Sequence, residues 1–102
     1  MSVLVNLAMF PTDKGESVSH HVSRVVKQIK KSGVSYQLTS MGTLIETETL
    51  TEALALVDDA YRVLEEDCDR VYLNMTIDIR KGKSNRMESK VKSVEEKIKG
   101  KD

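Results

Sequence analysis

Two carboxylates, Glu46 and Asp78, stand among side chains that can donate and accept hydrogen bonds at once. Asn74 and Gln37 carry amides; Thr39, Thr43 and Thr76 carry hydroxyls; Arg80 offers a planar fork of donors. Such a set can read the edge of a heteroaromatic ring, and the carboxylates favour a cationic ligand. Tyr72 or Tyr36 could stack on that ring, and Arg80 could pair with Asp78 or meet an anion. Glu46 and Asp78 also have the types needed for acid–base work. No nucleophile or metal-ligand set accompanies them, so they read as recognition groups rather than catalytic ones. His20 and His21 are adjacent on a helix, which turns their rings about 100° apart and denies them a shared metal. Isolated Gly15 and Gly42 do not make a phosphate loop.

These groups need strands to hold them. From Val71 the chain alternates strictly: Val71, Leu73, Met75, Ile77 and Ile79 against Tyr72, Asn74, Thr76, Asp78 and Arg80. Alternate residues of a strand face opposite sides, so one side is oily and the other chemically dressed. Ser2 to Phe10 is a second strand, apolar on both sides and therefore central, ended by Pro11. Two shorter strands run from Val34 to Leu38 and from Thr43 to Thr47. They put Gln37 and Thr39 on the dressed side, with Glu46 or Thr43 beside them.

Two helices separate the strands. Ser17 reads as the N-cap of the first, whose apolar residues are Val18, Val22, Val25, Val26 and Ile29, with Gly33 just past its end. Thr49 and Glu52 form a capping box for the second, with Leu50, Ala53, Leu54, Val57, Ala60, Tyr61 and Leu64 as its apolar face. The segment from Lys81 to Arg86 reads as a basic, solvated loop. A last helix, from about Met87 to Lys99, carries a narrow seam of Met87, Val91, Val94 and Ile98.

The order β-α-β-β-α-β plus a C-terminal helix predicts an α+β, ferredoxin-like sandwich as a single domain over residues 1–102. Right-handed crossovers put both main helices on one face of a four-stranded antiparallel sheet. The other face has no cover unless the last helix folds back. It is too apolar to be a plain wet surface and too polar to be a second core. Either two chains pack sheet on sheet there, or a small ligand also sits in a cleft at that junction.

Sixteen basic and sixteen acidic residues cancel, so no global field draws the chain to nucleic acid or anionic membrane. No apolar run approaches a membrane span. Met1 to Asn6 has no basic region before its apolar residues and reads as mature structure rather than a signal peptide. Cys68 is the only cysteine, which excludes an internal disulfide and fits a reducing cytoplasm. Its acidic neighbours would raise its pKa, which argues against a nucleophile.

Three stretches carry a family likeness. Phe10-Pro11-Thr12-Asp13-Lys14-Gly15-Glu16-Ser17-Val18-Ser19, Tyr36-Gln37-Leu38-Thr39-Ser40-Met41-Gly42-Thr43-Leu44-Ile45-Glu46, and Asp69-Arg70-Val71 leading to Ile77-Asp78-Ile79-Arg80 resemble the small thiamine-binding protein family. The likeness covers nearly the whole chain in order. Thr47-Glu48-Thr49 departs from it, where the family often has a glycine and a tryptophan. The resemblance implies a ferredoxin-like subunit in a homo-oligomer, a dimer of dimers. It implies binding of thiamine or its hydroxymethylpyrimidine part without catalysis, and the residues themselves lead us to expect neither a cofactor nor a metal. It would assign ligand contact to Ser19, Thr39, Gly42, Thr43, Glu46, Asp78 and Arg80. The alternative is a structural or regulatory module that uses the dressed face only for self-association.

Overall fold

The computed structural model describes residues 1–16 and 18–100. The chain forms β1 (Ser2–Pro11), α1 (Ser19–Lys31), β2 (Ser35–Thr39), β3 (Gly42–Thr47), α2 (Leu50–Glu65), β4 (Val71–Arg80) and α3 (Arg86–Lys99). The sheet order is β2-β3-β1-β4, with every neighbouring pair antiparallel. This is the sandwich the strand and helix order predicts, and β1 is central, as its two-sided apolar character requires.

Register decides which side each residue takes. Val3, Val5 and Leu7 of β1 pair with Thr47, Ile45 and Thr43 of β3 and with Ile79, Ile77 and Met75 of β4. This row faces the helices. There Val3, Val5, Ile45, Ile29, Ala60 and Leu64 are almost wholly buried. Cover is thinner over the edge strand, where Leu73 and Ile79 stay 39% and 46% exposed.

Helix α1 begins with Val18 at the N-cap and no side-chain cap; Ser17 lies outside the described residues. It ends as its sequence requires. Gly33 takes φ +82°, open to glycine at little cost, and its amide reaches the Lys30 carbonyl. Helix α2 opens on Thr49, whose hydroxyl accepts from the Glu52 amide at 3.1 Å. Its buried stripe is Ala53, Leu56, Val57, Ala60 and Leu64. Leu54, expected inside, is 44% exposed, and Leu56 takes the inner place, because the stripe at helical spacing runs 53, 56, 57, 60, 64.

The last helix is different. Met87 is half-buried at its first turn, but every residue from Glu88 to Gly100 is exposed. The chain's radius of gyration is 15.4 Å, against roughly 13 Å for a compact domain of this length. Helix α3 therefore leaves the body at one corner of the open sheet face and projects from it.

Candidate functional site

The open face carries Ser2, Leu4, Asn6, Ala8 and Phe10 from β1. Gly42, Leu44 and Glu46 come from β3, Ser35, Gln37 and Thr39 from β2, and Tyr72, Asn74, Thr76, Asp78 and Arg80 from β4. Register resolves the alternative left by the sequence: Glu46 lies on this face, and Thr43 turns to the helices, 5% exposed. Phe10 and Tyr72 pack across the β1–β4 pair with ring centroids 5.4 Å apart.

Glu46 and Asp78 both pair with Leu4, one on each side of β1. That sets them two strand spacings apart, roughly 10 Å. The gap is filled by Arg86. Its guanidinium donates to the Asp78 Oδ2 at 2.9 Å, to the Asp78 carbonyl at 2.6 Å, to the Ser2 Oγ at 3.0 Å and to the Ser2 carbonyl at 2.9 Å. The residue is 3% exposed. On the other flank Glu46 binds the start of α3: Oε2 accepts from the Arg86 amide at 2.8 Å and from the Ser2 hydroxyl, and Oε1 accepts from the Met87 amide at 3.1 Å. Asn85, the N-cap residue, sits at φ 56° and makes no cap bond of its own. A carboxylate from β3 thus satisfies two orphan amides and the positive end of the α3 dipole.

The protonation states follow. Burial pushes the Glu46 carboxyl up, but the Ser2 hydroxyl, the two amides and the Arg86 charge outweigh it and hold it below the usual range. Asp78 is held low first by its hydrogen bond from Lys90, at 3.3 Å; burial opposes this, and the Arg86 hydrogen bond and charge add to the lowering. Both carboxylates are charged at neutral pH.

This corrects two readings. Arg86 is not part of a solvated loop; it is the most buried charge of the open face. Arg80 does not pair with Asp78. It opposes Ser2 on the edge strand, exposed, while Asp78 turns to Arg86 and Lys90.

Beside this cluster lies a cleft of about 330 Å³ between the first turns of α3 and the sheet. Leu4 and Leu44 floor it, Asn6, Thr76 and Asp78 offer polar groups, and Met87, Lys90 and Val91 form the helical wall. A second hollow, about 220 Å³, lies near the β2–β3 turn under α1, with Thr39, Gly42, Thr43 and Phe10 among its walls. Gly42 there has φ +156°, and a Cβ would stand 2.9 Å from the Leu7 carbonyl and 2.7 Å from the Asn6 Oδ1, so only glycine fits against β1. Thr39 fastens the turn by donating to the Gly42 carbonyl and accepting from the Met41 amide. Ser19 is exposed on α1 and borders a neighbouring shallow groove with Val22, Val26 and Leu38.

The seven expected contact residues therefore divide by place. Glu46 and Asp78 meet at the Arg86 corner, Thr39, Gly42 and Thr43 meet at the β2–β3 turn, and Ser19 and Arg80 join neither group. At the opposite end of the molecule His21, Asp67 and Cys68 bring ligand-type atoms within 4.8 Å of one another. The Arg24 guanidinium already supplies the positive charge there, with Asp67 at 2.9 and 3.1 Å and the His21 Nδ1 at 3.1 Å. Burial, then the Asp67 charge, pushes the Cys68 thiol up, so it is not an activated nucleophile.

Residues 5–95 match the family model described as thiamine-binding protein. The chain belongs to that family. A UPF0045 protein of Methanothermobacter thermautotrophicus is 41% identical over 83 residues, covering 80% of this chain and 84% of that protein. The UPF0045 protein MJ1052 of Methanocaldococcus jannaschii is 34% identical over 94 residues, covering 92% of this chain and 93% of its own length. The crystal structure of MJ1052 superposes with a TM-score of 0.80 over 93% of this chain and 97% of that one. A candidate thiamine biosynthesis/salvage protein of Thermotoga maritima also reaches 0.80, at 24% identity over 92% and 99% of the two chains, which bears on the fold alone. Within the thiamine-binding family, this chain's α3 and its Arg86 anchor define one wall of the open-face cleft. Among the described residues no helix is long and apolar enough to cross a membrane.

Proposed function

We propose that this chain is a non-catalytic binding protein for thiamine or its hydroxymethylpyrimidine part. The ligand is held in a cleft that a neighbouring subunit closes in a cytoplasmic homo-oligomer, a dimer of dimers. The observation that carries the reading is the open-face cleft: an apolar floor beside an ionised, half-exposed carboxylate, Asp78, with the Asn6 amide and Thr76 hydroxyl alongside. An aminopyrimidine needs an acceptor for its amino group and donors for its ring nitrogens, and a thiazolium cation favours a negative neighbour. In this reading Asp78 takes the amino group. Glu46, whose two oxygens are already engaged, acts by holding the helix that walls the cleft. Thr39, Gly42 and Thr43 border the second hollow, and Ser19 and Arg80 are outer contacts. The cleft volume is at the low end for a small-molecule site and is open on one side, which suits closure by a second chain.

One observation favours the alternative, a self-associating structural or regulatory module with no small ligand. Both carboxylates are already partnered within the chain by Arg86, its amide and its neighbours. Calorimetric titration with thiamine and with hydroxymethylpyrimidine separates the two. The expected result is saturable heat and a raised melting temperature, with Thr76→Val weakening binding about tenfold, the worth of roughly one hydrogen bond. No heat and no thermal shift with either compound at millimolar concentration leaves the self-association reading in its place.

A further inference from the structure

Helix α3 has a face that nothing in its own chain covers. Beyond the first turn, Val91, Val94 and Ile98 are 56%, 57% and 67% exposed. A 14-residue helix is marginal in water on its own, even with the many lysines and glutamates this one carries. Its start is fixed rigidly by Glu46 and Arg86, while the rest stands clear of the sheet. Such a helix needs an apolar partner along its seam.

The seam has a heptad register. Met87 and Val94 fall at d, Val91 and Ile98 at a, Glu88 and Glu95 at e, and Lys90 and Lys97 at g. The two flanks are fully sorted by charge, acid on one and base on the other. In a parallel pair of such helices, g of one faces the following e of the other, so Lys90 meets Glu95 of the second copy, twice by symmetry. In an antiparallel pair g faces g and e faces e, which sets lysine against lysine and glutamate against glutamate. Lys90 reaches Asp78 at 3.3 Å but remains 58% exposed, so its ammonium is open to a second carboxylate.

We propose that α3 pairs in parallel with α3 of a second copy of this chain, through Val91, Val94 and Ile98 with Lys90–Glu95 ion pairs between copies. Parallel pairing puts both bodies at the same end of the two helices. Because Met87, Lys90 and Val91 also wall the open-face cleft, the two clefts then lie side by side at the start of the seam. The pairing itself does not depend on any ligand.

Sedimentation analysis of the full chain tests this, with circular dichroism as a control for folding. Val94→Asp with Ile98→Asp, both at exposed sites, is expected to halve the oligomer mass while the fold is kept. Glu95→Lys alone and Lys90→Glu alone should each weaken association. Mixing the two should restore it, since each then faces an opposite charge. Ile98→Cys should form an intermolecular disulfide under mild oxidation, as a–a contacts require. A chain that is monomeric, an oligomer that keeps its mass in the double aspartate variant, or two charge variants that mix no better than either alone overturns the proposal. Calorimetric titration of the unsubstituted chain reports on the ligand reading independently of these association variants.

Discussion

Helices α2 and α3 both begin where the chain leaves an antiparallel strand, yet they are started by opposite means. Thr49 caps α2 from within its own first turn, three residues from the amide it satisfies. At α3 the local N-cap, Asn85, makes no cap bond. The carboxylate that does the work, Glu46, comes from 40 residues earlier, and Arg86 ties the same turn to Ser2 and Asp78. A local cap makes a helix that can form early and alone. A remote cap makes a helix whose direction is dictated by the sheet.

The largest expected effect lies on the remote side. Arg86→Ala removes four side-chain hydrogen bonds from a buried position and should cost about 2–4 kcal/mol in urea unfolding, with Arg86→Lys recovering only part. Hydrogen exchange should show α3 losing protection while α2 keeps it. If both helices loosen together, the anchor is not specific to α3. Glu46→Gln comes next, at about 1–2 kcal/mol, because a neutral amide accepts more weakly from the two amides and the Ser2 hydroxyl. Acid should act in the same direction. The folded Glu46 and Asp78 carboxyls are held below their ordinary values, so their contribution is whole above the usual carboxylate range. It is lost as the pH falls through the lower folded values. Detachment of α3 in acid, followed by exchange or by fluorescence of a label on the helix, should precede loss of α2, whose cap acceptor does not titrate. Thr49→Ala is the smallest, about 1 kcal/mol by thermal melting, with α3 untouched.

The same contrast explains what could be read from the residues. The alternation from Val71 to Arg80, the two-sided strand before Pro11, the capping threonine and the glycine after α1 all act through neighbours in the chain, and each is visible as a pattern. Whether Glu46 or Thr43 reached the open face depended on how β3 registers against β1, which period-two alternation leaves undetermined. Leu54 and Leu56 were exchanged because helix α2 is apolar over more than its packed stripe. Arg86 was the least legible. It sits at the end of a basic run, and only the pairing of Glu46 and Asp78 on either side of Leu4 makes a buried place for a guanidinium. The candidate site was therefore legible as a face and a set of residue types. Its division into an anchored corner and a separate turn came only from register.

The Arg86 corner also has a kinetic side. It joins Ser2, Glu46, Asp78 and Arg86, so its contacts span sequence separations of up to 84 residues. Its partners come from β1, β3 and β4 as well as from the start of α3, so the corner is complete only when those three strands are paired. The anchor is therefore expected to be a finishing step that forms after the folding transition state. Weakening it should leave the refolding rate nearly unchanged and appear almost wholly as faster unfolding, so the corner sets how long the finished fold lasts rather than how fast it is reached.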